Sequence, residues 1–155
     1  MSDILPDMKC DAVNVRIMTE ADVSSVANIE KQCFSEPWSE NAFLAATKDD
    51  NYIFMVAECN GQIVGMAGII KSFDEGDVTN VATHPDMRGR GVARKVLSTL
   101  FEEALSQGIT SLTLEVRQHN VAAIKLYESL GFICEGKRPG FYENPKEDAL
   151  IYWRR

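Results

Sequence analysis

Histidine is scarce in this chain, with His84 and His119 the only two among 155 residues. The four cysteines, Cys10, Cys33, Cys59 and Cys134, are scattered, and none forms a CxxC pair. Without His or Cys clusters at ligand spacing, no metal site is expected. The same scatter reads as reduced, mostly buried thiols in a reducing compartment. Long apolar runs are also missing, and no stretch approaches the ~20 residues of a membrane-spanning helix. The first ten residues carry Asp3, Pro6 and Asp7 rather than an apolar signal core. These absences predict a cytoplasmic protein that holds no metal and engages no membrane. Positive charge is outnumbered: 16 Lys and Arg against 23 Asp and Glu leave a net charge of −7. A broad basic surface is therefore lacking, which argues against direct nucleic-acid binding. The acidic balance serves solubility and is compatible with a basic protein or peptide partner.

What is present fits one globular unit. A 45% hydrophobic share in 155 residues is enough for a sizeable core. Residues 1–12 read as a flexible N-terminal tail and 13–155 as a single domain, expected to be a monomer or weak dimer.

Along the chain, Val13, Val15 and Ile17 alternate with polar neighbours, a strand signal. Thr19 is placed to cap a helix carrying Val23, Val26, Ala27 and Phe34 on one face. Pro37-Trp38-Ser39-Glu40 interrupts it, and Ser39 can cap a second short helix through Ala46. Two apolar runs, 53–58 and 62–70, flank Asn60-Gly61, a hairpin turn pair. A strand is expected over Asp77–Thr83. From Arg88 to Gln107, the residues Val92, Val96, Leu100, Phe101, Ala104 and Leu105 form an apolar helix face that ends at Gly108. Leu112, Leu114 and Val116 alternate in a further strand, and a helix over Asn120–Leu130 stops at Gly131. Phe132–Glu135 and Ala149–Trp153 read as closing strands around a loop rich in Pro, Gly and aromatics. The order βααβββαβαββ predicts an α/β fold: a mixed, splayed sheet of about seven strands with helices on both faces.

The stretch from Met87 to Lys95 reads Met-Arg-Gly-Arg-Gly-Val-Ala-Arg-Lys. Small residues at Gly89, Gly91 and Ala93 sit where a helix begins. A helix start offers unpaired N–H groups and a positive dipole end, which together suit a phosphate. Arg88, Arg90, Arg94 and Lys95 add fixed positive charge. The spacing is neither that of a nucleotide P-loop nor that of a dinucleotide-binding turn. An ordinary basic helix start is the plainer alternative.

Val81-Ala82-Thr83-His84-Pro85 followed by Arg88-Gly89-Arg90-Gly91-Val92-Ala93 resembles the acetyl-CoA motif of the GCN5-related N-acetyltransferases. Leu114-Glu115-Val116-Arg117, Asn120, and Leu126-Tyr127-Glu128-Ser129-Leu130-Gly131-Phe132 resemble the second half of that family's pattern. Pro37-Trp38-Ser39-Glu40, Leu114 to Arg117 followed by Asn120-Val121-Ala122-Ala123-Ile124, and Glu147-Asp148-Ala149 are similar to the branch that acetylates the N-terminal alanine of a ribosomal protein. The resemblance spans about residues 13–153 and implies the splayed sheet just described. It implies acetyl-CoA as co-substrate, with the backbone of Val81, Ala82 and Thr83 along the pantetheine arm. It implies that Arg88, Gly89, Arg90, Gly91, Val92, Ala93 and Arg94 surround the pyrophosphate and that Asn120 lies against the cofactor. It further implies Glu115 as general base and Tyr127 as general acid. Gly89 stands where relatives often carry Arg or Lys, so one side-chain phosphate contact is not expected. Residues 137–142 depart from the pattern of the ribosomal branch, which bears on acceptor choice.

Acetyl transfer to an amine requires loss of an amine proton and protonation of the departing thiolate. A peptide α-amine has a pKa of ~8, so a carboxylate working through water suffices. Glu115 alternates away from Leu112, Leu114 and Val116, and is either that base or a solvated strand carboxylate. Tyr127 lies three residues from both Ile124 and Leu130, on the apolar stripe of its helix, so core packing competes with proton donation. Trp38 either walls the acceptor site or fills the core. Arg138 and Tyr142 are candidate acceptor-binding residues, Tyr142 in the expected loop. A strand irregularity near Val81 or Ala82 would free a backbone N–H for the oxyanion. His84, before Pro85, reads as structural. The expected acceptor is a basic ribosomal protein or peptide N-terminus. An acetyltransferase for a small amine, amino acid or lysine is the alternative, and a non-catalytic coenzyme A sensor the third.

Overall fold

The computed structural model describes residue 10 and residues 12–155. The expected tail over 1–12 lies outside the described residues apart from Cys10 and Ala12. The chain runs as β1 (Asn14–Ile17), α1 (Val23–Cys33), α2 (Glu40–Thr47), β2 (Tyr52–Cys59), β3 (Gln62–Ser72), β4 (Glu75–Thr83), α3 (Val92–Ser106), β5 (Ser111–Arg117), α4 (Val121–Ser129), β6 (Ile133–Tyr142) and β7 (Glu147–Arg154). The seven strands form one sheet in the order β1-β2-β3-β4-β5-β7-β6. This is the predicted order of elements, and the sheet is mixed: β4 and β5 are parallel and the other neighbours antiparallel.

The alternation of apolar residues along the strands supplies two cores, one on each face. On one face, Val92, Val96, Leu97, Leu100 and Phe101 of α3, with Tyr127 of α4, bury against Val64, Ile69, Leu112, Leu114 and Val116. On the other, Val26, Ala27 and Ile29 of α1 and Phe43 of α2 bury against Phe54, Val56, Met66 and Ala82. The Ser39 cap forms, whereas Thr19 opens a short helical turn over Glu20–Asp22 and the N-cap of α1 is Asp22. The Ser39 hydroxyl accepts from Ala42 N at 3.1 Å, and the Asp22 carboxylate accepts from Thr19 N at 2.8 Å.

Two features open the sheet at its middle. Parallel pairing between β4 and β5 covers only Glu75↔Ser111, Gly76↔Leu112 and Asp77↔Thr113. Beyond Asp77 the strands part, while β4 continues to pair with β3 as far as Gly65↔Thr83. In that ladder Gly68 faces Asn80 and Ile69 faces Val78, so Thr79 is an extra residue that bulges the strand. The bulge reverses the alternation: Val78 turns to the α3 face, whereas Asn80 and Ala82 turn to the α1 face.

Several sequence expectations need correction. Helix α3 begins at Val92, not Arg88, because Gly89 (φ +77°) and Gly91 (φ +79°) take left-handed conformations that a helix cannot contain. Phe34 is the extended residue that ends α1 and is 43% exposed; Leu105 is 64% exposed, and Leu97 takes the buried place. The loop expected after Glu135 is strand. Register shifts at Cys134/Gly136 and Arg138/Tyr142 absorb the irregular Gly and Pro residues, so β6 stays paired with β7 out to Tyr142. The cysteines are not four mostly buried thiols. Antiparallel pairing of β1 with β2 carries the preceding segment past the end of β2, where Cys10 and Cys59 form a disulfide with Cα atoms 5.9 Å apart. Cys33 is a half-buried free thiol, and Cys134 is an exposed one.

Candidate active site

The parting of β4 from β5 leaves one edge of Val81, Ala82 and Thr83 facing a gap instead of a strand. Their side chains do not fill it: Ala82 is buried against the α1 face, and Val81 packs toward α3. An extended arm laid along this edge would meet backbone donors and acceptors in a strand-like manner.

Beyond Thr83 the chain turns through a short helical turn at Pro85–Met87 and reaches α3. No side chain caps α3; its N-cap is Gly91, and the first ladder bond is Lys95 N to Gly91 O at 3.1 Å. The N–H groups of Val92, Ala93 and Arg94 therefore point out of the helix end beside its positive dipole pole. A Cβ built on Gly89 or Gly91 meets nothing within 4 Å, so glycine is favoured there by the backbone sign and the space beside it is open. The donor set and the space fit a diphosphate. Val92 is itself buried, so its contribution is limited to the backbone. Around this end, an Arg88 guanidinium nitrogen lies 3.3 Å from Cys33 Sγ, Arg94 donates to Ser129 Oγ at 2.6 Å, and Lys95 holds the carbonyl of Val13. Asn120, placed against the cofactor by the resemblance, caps α4: its Oδ1 accepts from Ala123 N at 3.2 Å.

Glu115 and Tyr127 lie on opposite faces of the sheet. Glu115 points to the α1 face, away from buried Leu114 and Val116. Its Oε2 lies 2.8 Å from Arg138 Nε, an ion pair without a directed hydrogen bond. Asp77, at the last β4–β5 pair, is pushed up from the usual carboxylate range by burial and by the charge of Glu115, while Arg138 works in the opposite sense. Tyr127 is 8% exposed in the α3–α4 core, its ring 6.0 Å from that of Phe132. Its hydroxyl has no hydrogen-bond partner among the described residues. Burial, and secondarily the charge of Tyr142, push its ionisation well above the ordinary phenol value. It therefore keeps its proton at neutral pH. Tyr142 is pushed up to about 12, first by burial and then by Glu115. Tyr142 is thus within electrostatic reach of both groups.

The remaining candidates divide. Arg138 joins the Glu115 cluster. Trp38 does not: its ring packs 5.2 Å from Phe43, 5.8 Å from Phe54 and 6.0 Å from Tyr52, filling the α1–α2 core. Its backbone N–H donates at 3.0 Å to Glu30, which also accepts from Asn80 at 3.1 Å. Sequence reasoning missed Asp77, Asn80 and Glu30, since nothing local marks which strands become neighbours. His84 accepts from Asp86 N at 3.1 Å, a turn-forming role.

A mixed sheet parted at its middle strands, with a glycine-led helix after the parted strand and a carboxylate on the strand across the gap, defines an N-acetyltransferase that draws on acetyl-CoA. The chain belongs to the acetyltransferase (GNAT) family, whose model matches residues 23–132. It is 36% identical over 132 residues to the ribosomal protein bS18-alanine N-acetyltransferase of Escherichia coli K12, covering 84% of this chain and 88% of that protein. It is 31% identical over 140 residues to the enzyme of the same description from Haemophilus ducreyi, covering 88% and 96%. The crystal structure of the ribosomal-protein-S18-alanine N-acetyltransferase from Escherichia coli superposes with a TM-score of 0.85 at 32% identity, covering 92% of this chain and 93% of that one. Among the described residues no helix is long and apolar enough to cross a membrane, and no cluster suited to a metal ion occurs.

Proposed function

We propose that this protein acetylates the α-amine of an N-terminal alanine on a small-subunit ribosomal protein, using one catalytic domain over residues 13–155. The observation that carries the reading is the gap past Asp77 and Thr113, with Glu115 on the strand that borders it and Tyr127 in the core on the other face of the sheet. The relatives named for a ribosomal alanine acceptor support the choice of amine. Bound acetyl-CoA supplies an activated thioester acetyl group. The backbone edge of Val81–Thr83 holds its extended arm, and the N–H groups at the start of α3 hold its diphosphate, helped by the surrounding arginines. Glu115 takes the proton of the incoming ammonium through water and leaves a neutral amine to attack directly. Tyr127, protonated at neutral pH, delivers its proton to the departing sulfur and is reloaded by the proton that the attacking nitrogen sheds as the amide forms. Arg138 and Tyr142 border the acceptor side, where Arg138 orients Glu115. The acceptor reading places the reaction in the cytoplasm, with a basic protein N-terminus as partner, no direct nucleic-acid contact and a monomer or weak dimer as the working form.

The test is mass spectrometry of cellular protein N-termini with and without this protein, joined to an in vitro screen of alanine-starting peptides, polyamines, free amino acids and internal lysines. Loss of acetylation at an alanine N-terminus of a ribosomal protein supports the reading. Unchanged N-termini together with transfer to a small amine or lysine would transfer the assignment to that acceptor.

A further inference from the structure

Arg117 lies two residues beyond Glu115 on the same face of β5, and among the described residues the polar contacts of its guanidinium are made to one segment. Nη1 donates to Pro145 O at 2.8 Å and lies 3.2 Å from Glu147 Oε1; Nη2 donates to Glu143 O at 2.8 Å. The guanidinium carbon sits 4.4 Å over the Tyr142 ring. The contacts fall on residues 142–147, the turn joining β6 to β7. Just past β5, His119 grips the same turn, its N–H donating to Glu147 Oε2 at 2.8 Å and its Nδ1 lying 3.0 Å from that oxygen. The turn then reaches across to the α1–α2 connection, where Asn144 Nδ2 donates to Glu36 Oε1 at 2.9 Å.

A simple ion pair needs one carboxylate. Here a planar fork joins two backbone carbonyls, a carboxylate and an aromatic face at once, which an ammonium cannot reproduce. The two carbonyls belong to a turn outside the β6–β7 ladder, so strand pairing does not hold them. The segment so held carries Tyr142, which stands within electrostatic reach of Glu115.

Resting on the function proposed above, we infer that Arg117 is a positioning residue for the acceptor: it templates the 142–147 turn, sets Tyr142 beside Glu115, and carries Asn144 to Glu36 so that the acceptor end of the gap is closed into a passage for an extended chain end. Arg117 does not touch the reacting atoms. Its effect falls on acceptor binding and not on acetyl-CoA, whose cradle lies on β4 and α3.

The experiment compares wild-type protein with Arg117→Lys and Arg117→Gln. It measures steady-state kinetics with acetyl-CoA and an alanine-starting peptide, together with amide hydrogen exchange resolved along the chain. In both variants the peptide KM is expected to rise about tenfold, with the acetyl-CoA KM within about twofold and kcat within about threefold. Exchange is expected to speed up in residues 140–148 and to stay unchanged in α3 and β3. A lysine variant that behaves as wild type, exchange unchanged in the turn, or both KM values and the melting temperature moving together would each overturn the inference. Wild-type protein that ignores alanine peptides but acetylates a free amine would overturn the acceptor reading and not this one, whose KM readout then passes to that amine.

Discussion

Arg138 and Glu115 form an ion pair across the intervening strand β7: Arg138 faces Ala149, Glu115 faces Ile151, and Nε stands 2.8 Å from Oε2. The side chains are 59% and 25% exposed, so the pair is screened by water. Such screening leaves the pair little weight in holding the fold.

That relationship separates chemistry from stability at Glu115. Glu115→Gln is expected to lower kcat by about 10²-fold, the usual range for a lost general base, with the acetyl-CoA KM nearly unchanged. Loss of the screened pair is expected to cost less than about 1 kcal/mol in thermal unfolding. A variant with full activity across the pH range would remove Glu115 as the base.

At Tyr127 the hydroxyl is the sole group changed by Tyr127→Phe. Because the hydroxyl has no hydrogen-bond partner among the described residues and its ring packs against Phe132, the melting temperature is expected to hold or rise slightly. The single-turnover rate is expected to fall at least about tenfold. An unchanged single-turnover rate would assign Tyr127 to packing alone.

Gly91→Ala tests the cradle. With φ at +79° and open space around the added methyl, the penalty is conformational and not steric, of order 1 kcal/mol. Relief of that strain withdraws the turn from its ligand-binding shape. The dissociation constant for coenzyme A, measured by calorimetry, is expected to weaken about tenfold while the peptide KM moves little.

Two buried carboxylates give opposite pH dependences. Hydrogen bonds from Arg16 hold Asp22 below the usual carboxylate range. Its contribution is complete above the unfolded value of ~4 and is lost as pH falls through the lower folded value, so Asp22→Asn should flatten acid unfolding. Burial pushes Glu30 the other way, against the hydrogen bonds from Trp38 and Asn80. From the unfolded value of ~4.3 up to the higher folded one, the unfolded chain is ionised and the folded one is not, so stability falls as pH rises through that window. Glu30→Gln should therefore gain on wild type as pH rises, helped by the buried Asn80 Oδ1, which lacks a hydrogen-bond partner and can accept from the new amide. Unfolding curves near pH 4 and near pH 8 check both signs.

The strand and helix order was readable because each element carries its own period. Val15 and Ile17, Leu112 to Val116, and Val92 to Ala104 each mark a face without reference to the rest. The tip of β6 was not readable, since Pro139 and Gly140 look like loop residues until β7 lies alongside and register shifts absorb them. The start of α3 was misplaced for the converse reason: the apolar pattern marks which residues face the core, while the backbone sign at Gly89 and Gly91 decides where coiling begins. The Cys10–Cys59 disulfide and the seating of Trp38 in the aromatic core depend on neighbours distant in sequence, which a local pattern does not carry.

What the sequence determined alone was the succession of elements, the acidic balance and the glycine-led start of α3, because hydrophobic period, charge and glycine placement are properties of short stretches. Tertiary structure decided that β4 and β5 part after three residue pairs, that Arg138 pairs with Glu115 across β7, and that Arg117 grips a distant turn. Those are relations between segments far apart in the chain, set by how strands twist, pair and separate in space.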